Sequence, residues 1–354
     1  MKVLIDIGHP AHVHFFHQPI KQLQALGHEV IITSRDKECA LALLDGLGLP
    51  HQSLSALGKG GMLGLGKELI YRDWALFKVV KKTQPDIMAA IGGVFIAHVG
   101  KLTGTPSLVF YDTENATLQN AITYPLASAV IVPDCYHGWL PKKRHIRYHG
   151  YHELSYLHPN HFTPRRDIAE ANGLAPQGKT FLLRLVSWQA NHDVGEQGWN
   201  ESLLEKLVRK LSQQGKVLIS SESPLSPAMA AYRYRGDINQ LHHLMAFCSA
   251  FIGESATMAS ECAVLGVPAL YAAETGRGYT TEQEQKFGLV KNLHTINWSQ
   301  LEASIDALLA HAPEHWQQAQ QKLLSETIDV AQFVSECITT FPAPLKHYQA
   351  SLEH

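Results

Sequence analysis

The stretch FIGESATMASECAVLGVPAL, Phe251 to Leu270, sets Glu254, Ser255, Thr257 and Glu261 among small and apolar residues. AFIGE reads as a buried strand, and ATMASECAVLG as a helix that ends at Gly266 before a second strand, PALYAA. The chain therefore turns from strand to helix at Glu254, Ser255, Ala256 and Thr257. Small side chains there let a ligand approach the backbone, and the unpaired amides and dipole of a helix's first turn attract an anion such as pyrophosphate. Ser255 and Thr257 add hydroxyl donors. Glu261 stands four residues beyond Thr257, on the same face and one turn deeper, where a carboxylate can accept hydrogen bonds from two ribose hydroxyls. The plainer alternative makes Ser255 an N-cap and leaves Glu261 on a solvated face. Ala259, Cys262, Ala263 and Leu265 speak against that second half, because a carboxylate on a largely apolar helix needs partners.

Three further groups could do acid–base work. In HPAHVHFFH, His9, His12, His14 and His17 crowd the turn after the first strand. Pro10 holds His9 extended, so that its ring can face a ligand, although it can equally pack the helix start. Metal binding is the other use of such a cluster, but Asp6 is its sole nearby carboxylate, and no metal is expected. In YDTENATLQN, Asp112, Glu114 and Asn115 follow a buried strand. They suit a site at a strand's carboxyl end, or a helix cap made by Thr113 or Asn115. In LLRLVSWQANHDVGEQGWN, Arg184 can oppose diphosphate charge and His192 can serve as acid or base, beside Trp188 and Asp193. The alternative there is a surface loop in which Asn191 and Asp193 start the next helix.

TGRGYTTEQEQ adds Arg277 for a phosphate and Glu282 for sugar hydroxyls, or a helix start capped by Thr280 or Thr281. GKGGMLGLGKE contains Gly61, Gly66 and Lys67 in the spacing G-x-x-x-x-G-K, yet Glu68 follows instead of Ser or Thr and no strand leads in. A mobile loop is the expectation. The candidate catalytic residues are thus His9, Glu114 and His192. The candidate nucleotide-binding residues are Arg184, Glu254, Ser255, Ala256, Thr257, Glu261 and Arg277.

These groups need a scaffold that puts strand ends and helix starts side by side. KVLIDIG, EVIITSR, DIMAAIGG, PSLVFYDTE and AVIVPD read as strands, separated by helical segments that include HVHFFHQPIKQLQALGH, ECALALLDGLG and Glu68 to Thr83. Continuous apolar strands between helices imply a parallel sheet covered on both faces. The pattern breaks in RYHGYHELSYLHPNHFTPRRD, a linker near residues 150–175. It resumes with TFLLRLV, KVLISS, AAYRYRG, AFIGE and PALYAA, and closes with helices from about Glu314 to Thr340. The expected domains are residues 1–160, on the acceptor side, and 175–335, on the nucleotide side, both Rossmann-like. A C-terminal helix is placed to return to the first domain. Ligands belong at the carboxyl ends of the strands.

A length of 354 residues suits two domains better than one. With 45% hydrophobic and 18% charged residues and a net charge of −2, the chain has no basic bias that would make nucleic acid its partner. The start MKVLIDIGHP lacks the pattern of a signal peptide, and no apolar run is long enough for a membrane span. Five dispersed cysteines suit a reducing compartment. The expectation is a cytoplasmic protein with at most peripheral membrane contact.

Beyond this, ESATMASECAVLGVP resembles the donor-nucleotide motif of GT-B proteins: the glycosyltransferase that adds N-acetylglucosamine in peptidoglycan synthesis, and the non-hydrolysing UDP-N-acetylglucosamine 2-epimerases. In those families the small-residue turn cradles the diphosphate and a helix glutamate binds the ribose, a role that carries over to Glu261. Ala256 and Thr257 stand where the epimerases have two glycines. IGHPAHVHFFHQPIKQLQALGHEV is similar to the first loop and helix of GT-B proteins, and YDTENATLQNAITYPLASAVIVP to their acidic segment, which sets Glu114 and Asn115 at the mouth of an interdomain cleft. The segment around His192 resembles the histidine-containing segment of the epimerases, with different spacing.

In length and in YDTENATLQN, GYHELSYLHP and LGVP, the chain looks still more like a bacterial and archaeal family of GT-B-like proteins without an assigned activity. The resemblance implies a GT-B fold and a nucleotide sugar, UDP-linked, with no other cofactor. It implies transfer to a glycan or lipid-linked acceptor in surface-polysaccharide synthesis, or 2-epimerisation, or nucleotide or glycan binding without catalysis. A homodimer is compatible with each.

Overall fold

The computed structural model describes residues 1–36, 39–56, 61–186 and 199–352, with the backbone alone at 55–56 and 61–68. The chain forms two compact units, Met1–His161 with Ile328–His354, and Phe162–Thr327.

Unit 1 holds a seven-stranded sheet: β1 (Lys2–Ile7), β2 (Glu29–Asp36), β3 (Gln52–Ala56), β4 (Ile87–Ile91), β5 (Ser107–Phe110), β6 (Ala129–Pro133) and β7 (His145–Tyr148). Every pairing is parallel, in the order β3-β2-β1-β4-β5-β6-β7. The inner strands β5 and β6 are buried at every position. This explains why they read as unbroken apolar runs: helices cover both faces, and no polar face alternates with an apolar one. The direction of winding reverses between β1 and β4, which opens a crevice at their carboxyl ends where open α/β sheets take ligands.

Unit 2 holds β8 (Lys179–Leu185), β9 (Gly215–Ser221), β10 (Ala250–Gly253), β11 (Ala269–Ala272) and β12 (Val290–Leu293). These are also all parallel, in the order β12-β11-β10-β8-β9, so here the reversal falls between β8 and β10. Gly253 makes that junction fit. A Cβ built on it would lie 2.2 Å from the Arg184 carbonyl oxygen, so only glycine lets β10 run this close to β8.

Several expectations are corrected. AAYRYRG is a 3₁₀ turn, Ala230–Tyr232, with a single bridge from Ile219 to Arg233 instead of a strand. The glycine-rich segment enters helix at Gly61, and Gly61–Thr83 is one continuous helix where a mobile loop was expected. Helical backbone at Gly61, Gly66 and Lys67 cannot form the wrapped phosphate loop that their spacing suggested. The expected linker contributes the short helix Leu154–Leu157, buried throughout. After residue 327 the chain adds the helices Val330–Thr340 and Ala343–Ser351 to unit 1. The first of these packs Val330, Val334, Cys337 and Ile338 inward, and its Ser335 hydroxyl donates 2.6 Å to Gln22 Oε1 on the Pro10–Ala25 helix.

Candidate functional site

In unit 2 the crevice is built by strand ends that hold each other. Val186 N–H, just past β8, donates 2.7 Å to Glu254 Oε2, and Glu254 N–H donates 2.9 Å to the Arg184 carbonyl. Glu254 therefore ties β8 to β10, a structural contact beyond the ligand role that its position suggested. Ser255 is extended (φ −89°, ψ 107°) and caps the helix Ala256–Val264, its hydroxyl accepting 3.2 Å from Met258 N–H. A helix's first turn leaves other amides without an intrahelical partner, and such an end can take an anion. Ala256 is buried and Thr257 half-buried beside them.

Glu261 lies one turn deeper and is 5% exposed, so the solvated-face alternative fails. Its Oε1 is 2.9 Å from His242 Nε2, on the short helix Leu241–Met245. Ser260, next to it, accepts 2.7 Å from the fully buried Gln283 amide, which anchors the helix to the following element. A buried carboxyl group fixed by a histidine at this depth can accept hydrogen bonds from hydroxyl groups.

Arg184 donates 2.6 Å to Glu222 Oε1 and 3.0 Å to Ser220 Oγ, so its charge is already opposed. Arg277 is the N-cap position of Gly278–Glu282 and bonds the Gly276 carbonyl. Thr280 and Thr281 both donate to the Arg277 carbonyl and do not cap the helix, while Glu282 pairs with Lys286 at 3.1 Å. Trp188, Asn191, His192 and Asp193 lie outside the described residues.

In unit 1 the crevice between β1 and β4 is rimmed by Gly8, His9, Gly92 and Gly93. His9 is extended (φ −158°, ψ 154°), and its Nδ1 accepts 3.2 Å from Ala11 N–H, which caps the Pro10–Ala25 helix. His12 Nδ1 accepts 3.2 Å from Gly8 N–H, and His14 stacks on Tyr156. The histidine cluster thus secures the turn after β1. Gly92 and Gly93 have φ of 68° and 47°, and a Cβ on Gly93 would meet Val109 at 2.6 Å. The glycine pair was visible in the sequence as a strand–helix junction, but its left-handed backbone was not.

Asp6 is not a free carboxylate of this crevice. The Arg72 guanidinium donates 2.9 and 3.0 Å to its two oxygens, Thr33 Oγ1 donates 2.8 Å, and both members of the ion pair are buried.

The end of β5 brings Asp112 together with His152. Asp112 Oδ2 lies 3.2 Å from His152 Nδ1, and Thr113 Oγ1 donates to Asp112 Oδ1. His152 is buried against the Phe15 ring, and burial lowers its pKa despite the Asp112 charge. With Nδ1 facing the Asp112 carboxylate, a proton held there leaves Nε2 as an acceptor. Nε2 has no hydrogen-bond partner, and neither has Glu114 Oε1 or Asn120 Oδ1, all three buried. Unpartnered acceptors of this kind are costly unless a ligand supplies their donors. The helix that follows has Ala116 at its N-cap without a side-chain bond, so neither Thr113 nor Asn115 caps it.

His152 and His242 escaped sequence reasoning. The first sits in the segment read as a linker, where the phrase YHE was its signal; for the second no local pattern exists.

Two parallel-sheet units, with the crevice elements at their winding reversals, make this a GT-B fold, and solved structures bear that out. The UDP-GlcNAc 2-epimerase of Neisseria meningitidis bound to UDP-GlcNAc is 13% identical, with 94% of this chain and 98% of that one covered and a TM-score of 0.66. MurG of Acinetobacter baumannii is 16% identical over 96% and 100% of the two chains, with a TM-score of 0.61. The UDP-GlcNAc 2-epimerase of Methanocaldococcus jannaschii, in complex with UDP-GlcNAc and UDP, is 14% identical over 88% and 94%, with a TM-score of 0.62.

Within that fold, residues 1–275 match the family described as "Protein of unknown function (DUF354)", and the chain belongs to it. A relative from Methanocaldococcus jannaschii, uncharacterized protein MJ0665, is 24% identical over 279 residues, 76% of this chain and 80% of its own. Among the described residues, no helix is long and apolar enough to cross a membrane.

Proposed function

We propose that this protein is a glycosyltransferase that uses a nucleoside-diphosphate sugar, UDP-linked, for surface-polysaccharide or glycoconjugate synthesis in the cytoplasm. The observation that carries the reading is Glu261: a carboxylate buried one turn inside the helix that starts at the β8/β10 reversal, and fixed by His242. It takes the ribose hydroxyls, while the amides at Ser255–Thr257 take the diphosphate and Arg277 assists. In unit 1, Glu114 and His152 are the acid–base groups, with Asp112 orienting the imidazole and His9 contributing to the sugar side. His192 remains a candidate for the same chemistry.

A second reading, 2-epimerisation of the same donor, is supported by Glu114 Oε1 and His152 Nε2, both buried without a hydrogen-bond partner, since one group can remove a proton and the other return it. A nucleotide binder without catalysis is the third.

Calorimetric titration with UDP, GDP, CMP and their sugar conjugates, beside Glu261→Ala, tests the reading. Two hydroxyl bonds to a charged acceptor contribute about 3 kcal/mol together, so the variant should bind about a hundred-fold more weakly. Equal affinity removes the ribose role from Glu261, and no nucleotide binding refutes the whole assignment. Deuterium uptake at the sugar C2 without acceptor selects epimerisation, and turnover that needs an acceptor selects transfer.

A further inference from the structure

The outer face of the Gly61–Thr83 helix carries Ile70, Tyr71 and Trp74, which are 72%, 57% and 57% exposed. One and two turns further along the same face stand Lys78, Lys81 and Lys82, all exposed, with Lys78 Nζ 3.5 Å above the Trp74 ring. The opposite face holds the buried Arg72, Leu76, Val79 and Val80, so the division into two faces is sharp.

The apolar surface continues onto two neighbouring helices through one histidine. His98 Nδ1 is 2.9 Å from Asp73 Oδ2, beside Trp74, and His98 Nε2 is 3.2 Å from the Ile122 carbonyl. This joins Gly61–Thr83 to Val94–Thr103 and Thr117–Thr123. Leu102, one turn beyond His98, is 74% exposed, and Leu118, one turn before Ile122, is 77% exposed.

Among the described side chains of these helices charge is one-sided; Lys67 and Glu68, one of each sign, come before them. Over residues 69–83, 94–103 and 117–123 the exposed cations Lys78, Lys81, Lys82 and Lys101 face a single carboxylate, Asp73, already paired with His98. The whole chain carries a net charge of −2, so this is a local excess against the overall balance.

We propose that this face of unit 1 docks on an anionic lipid surface, with Ile70, Tyr71, Trp74, Leu102 and Leu118 entering the interface and Lys78, Lys81 and Lys82 meeting the headgroups. Tryptophan and tyrosine favour the depth where acyl chains meet headgroups, and lysines flanking them add attraction to acidic lipids. The inference stands apart from the nucleotide reading. It also sets the membrane next to the end of β5, since Leu118 follows Glu114 by four residues.

Flotation of the full chain with vesicles of phosphatidylcholine, with and without about a third phosphatidylglycerol, tests it. The expected result is flotation with the acidic vesicles, weak flotation with the neutral ones, and release as salt rises. Each lysine at such a surface accounts for about five-fold in partitioning, so Lys78→Gln, Lys81→Gln and Lys82→Gln together should lower it about a hundred-fold. Ile70→Gln with Trp74→Gln should abolish flotation while leaving circular dichroism and nucleotide affinity unchanged. No flotation of the wild type, or flotation that both variants retain, overturns the proposal. So does a wild-type dimer in gel filtration that the same variants convert to monomer, since a second copy would then cover the face.

Discussion

The Asp6–Arg72 pair allows a quantitative test of how unit 1 is held together. Both side chains are nearly inaccessible, at 6% and 1%, and the guanidinium also lies 4.5 Å over the Phe95 ring, so one pair fastens the Gly61–Thr83 helix to the carboxyl end of β1 and to Val94–Thr103. Charge centres about 4 Å apart attract by about 4 kcal/mol at an effective dielectric constant of 20. Asp6→Ala removes that attraction and strands a buried cation whose Nε already lacks a partner. The expected cost is about 3–5 kcal/mol.

Because the chain has two units, a single unfolding midpoint would mix their stabilities. Hydrogen exchange of β1 and helix 61–83 peptides reads unit 1 alone. Their exchange should accelerate between about one hundred and a few thousand-fold, with β8 and β10 peptides unchanged. The double variant Asp6→Ala, Arg72→Met removes both charges and should recover at least half of the loss. A cost below about 1 kcal/mol for Asp6→Ala, or a double variant worse than the single one, would refute the view that the pair acts as a unit.

Further outcomes follow from the same geometry. His152→Phe keeps the packing on Phe15 but removes the basic Nε2; turnover should fall by about a hundred-fold or more while nucleotide affinity stays unchanged, as steady-state rates beside calorimetry will show. His17 is held neutral by burial and by Lys21, its pKa lowered to about 4 from 6.5, so the unfolded chain takes up this proton first and stability is lost as pH falls from about 6.5 towards 4. Because the ring is partly solvated, the loss amounts to about 1–2 kcal/mol, less than the full shift would give, and His17→Gln should flatten denaturation midpoints across that window. Gly253→Ala forces a methyl group onto the Arg184 carbonyl and should separate β10 from β8, costing about 3 kcal/mol or more and abolishing nucleotide binding, as hydrogen exchange of β8 and β10 peptides with and without UDP would reveal.

The alternation of apolar runs and helices was enough to read two parallel sheets, because buried strands such as SLVF and AVIVP leave no other secondary structure that fits. The strands that reading passed over, β3, β7 and β12, are short and mix polar with apolar residues, as in HIRY and VKNL; all three are sheet edges, β3 and β7 of the larger sheet and β12 of the smaller. AAYRYRG alternates like a strand but lacks a neighbour to pair with beyond one bridge. The burial of Glu261 was legible because its neighbours share its helix. Its partner His242 was not, since nineteen residues separate them and only the packing of two helices brings them together. The same holds for Asp6 with Arg72, and for Asp112 with His152. Local pattern finds strand ends; it does not find which side chains meet there.

The return of residues 328–354 to unit 1 bears on how the molecule is born. The Pro10–Ala25 helix is made before unit 2, and its cover, Val330–Thr340, is made after it. Unit 2 is continuous and can close as soon as it leaves the ribosome, whereas unit 1 keeps an apolar flank open until unit 2 has been made. Loss of residues 328–354 by truncation or proteolysis would leave unit 2 intact and unit 1 unfinished.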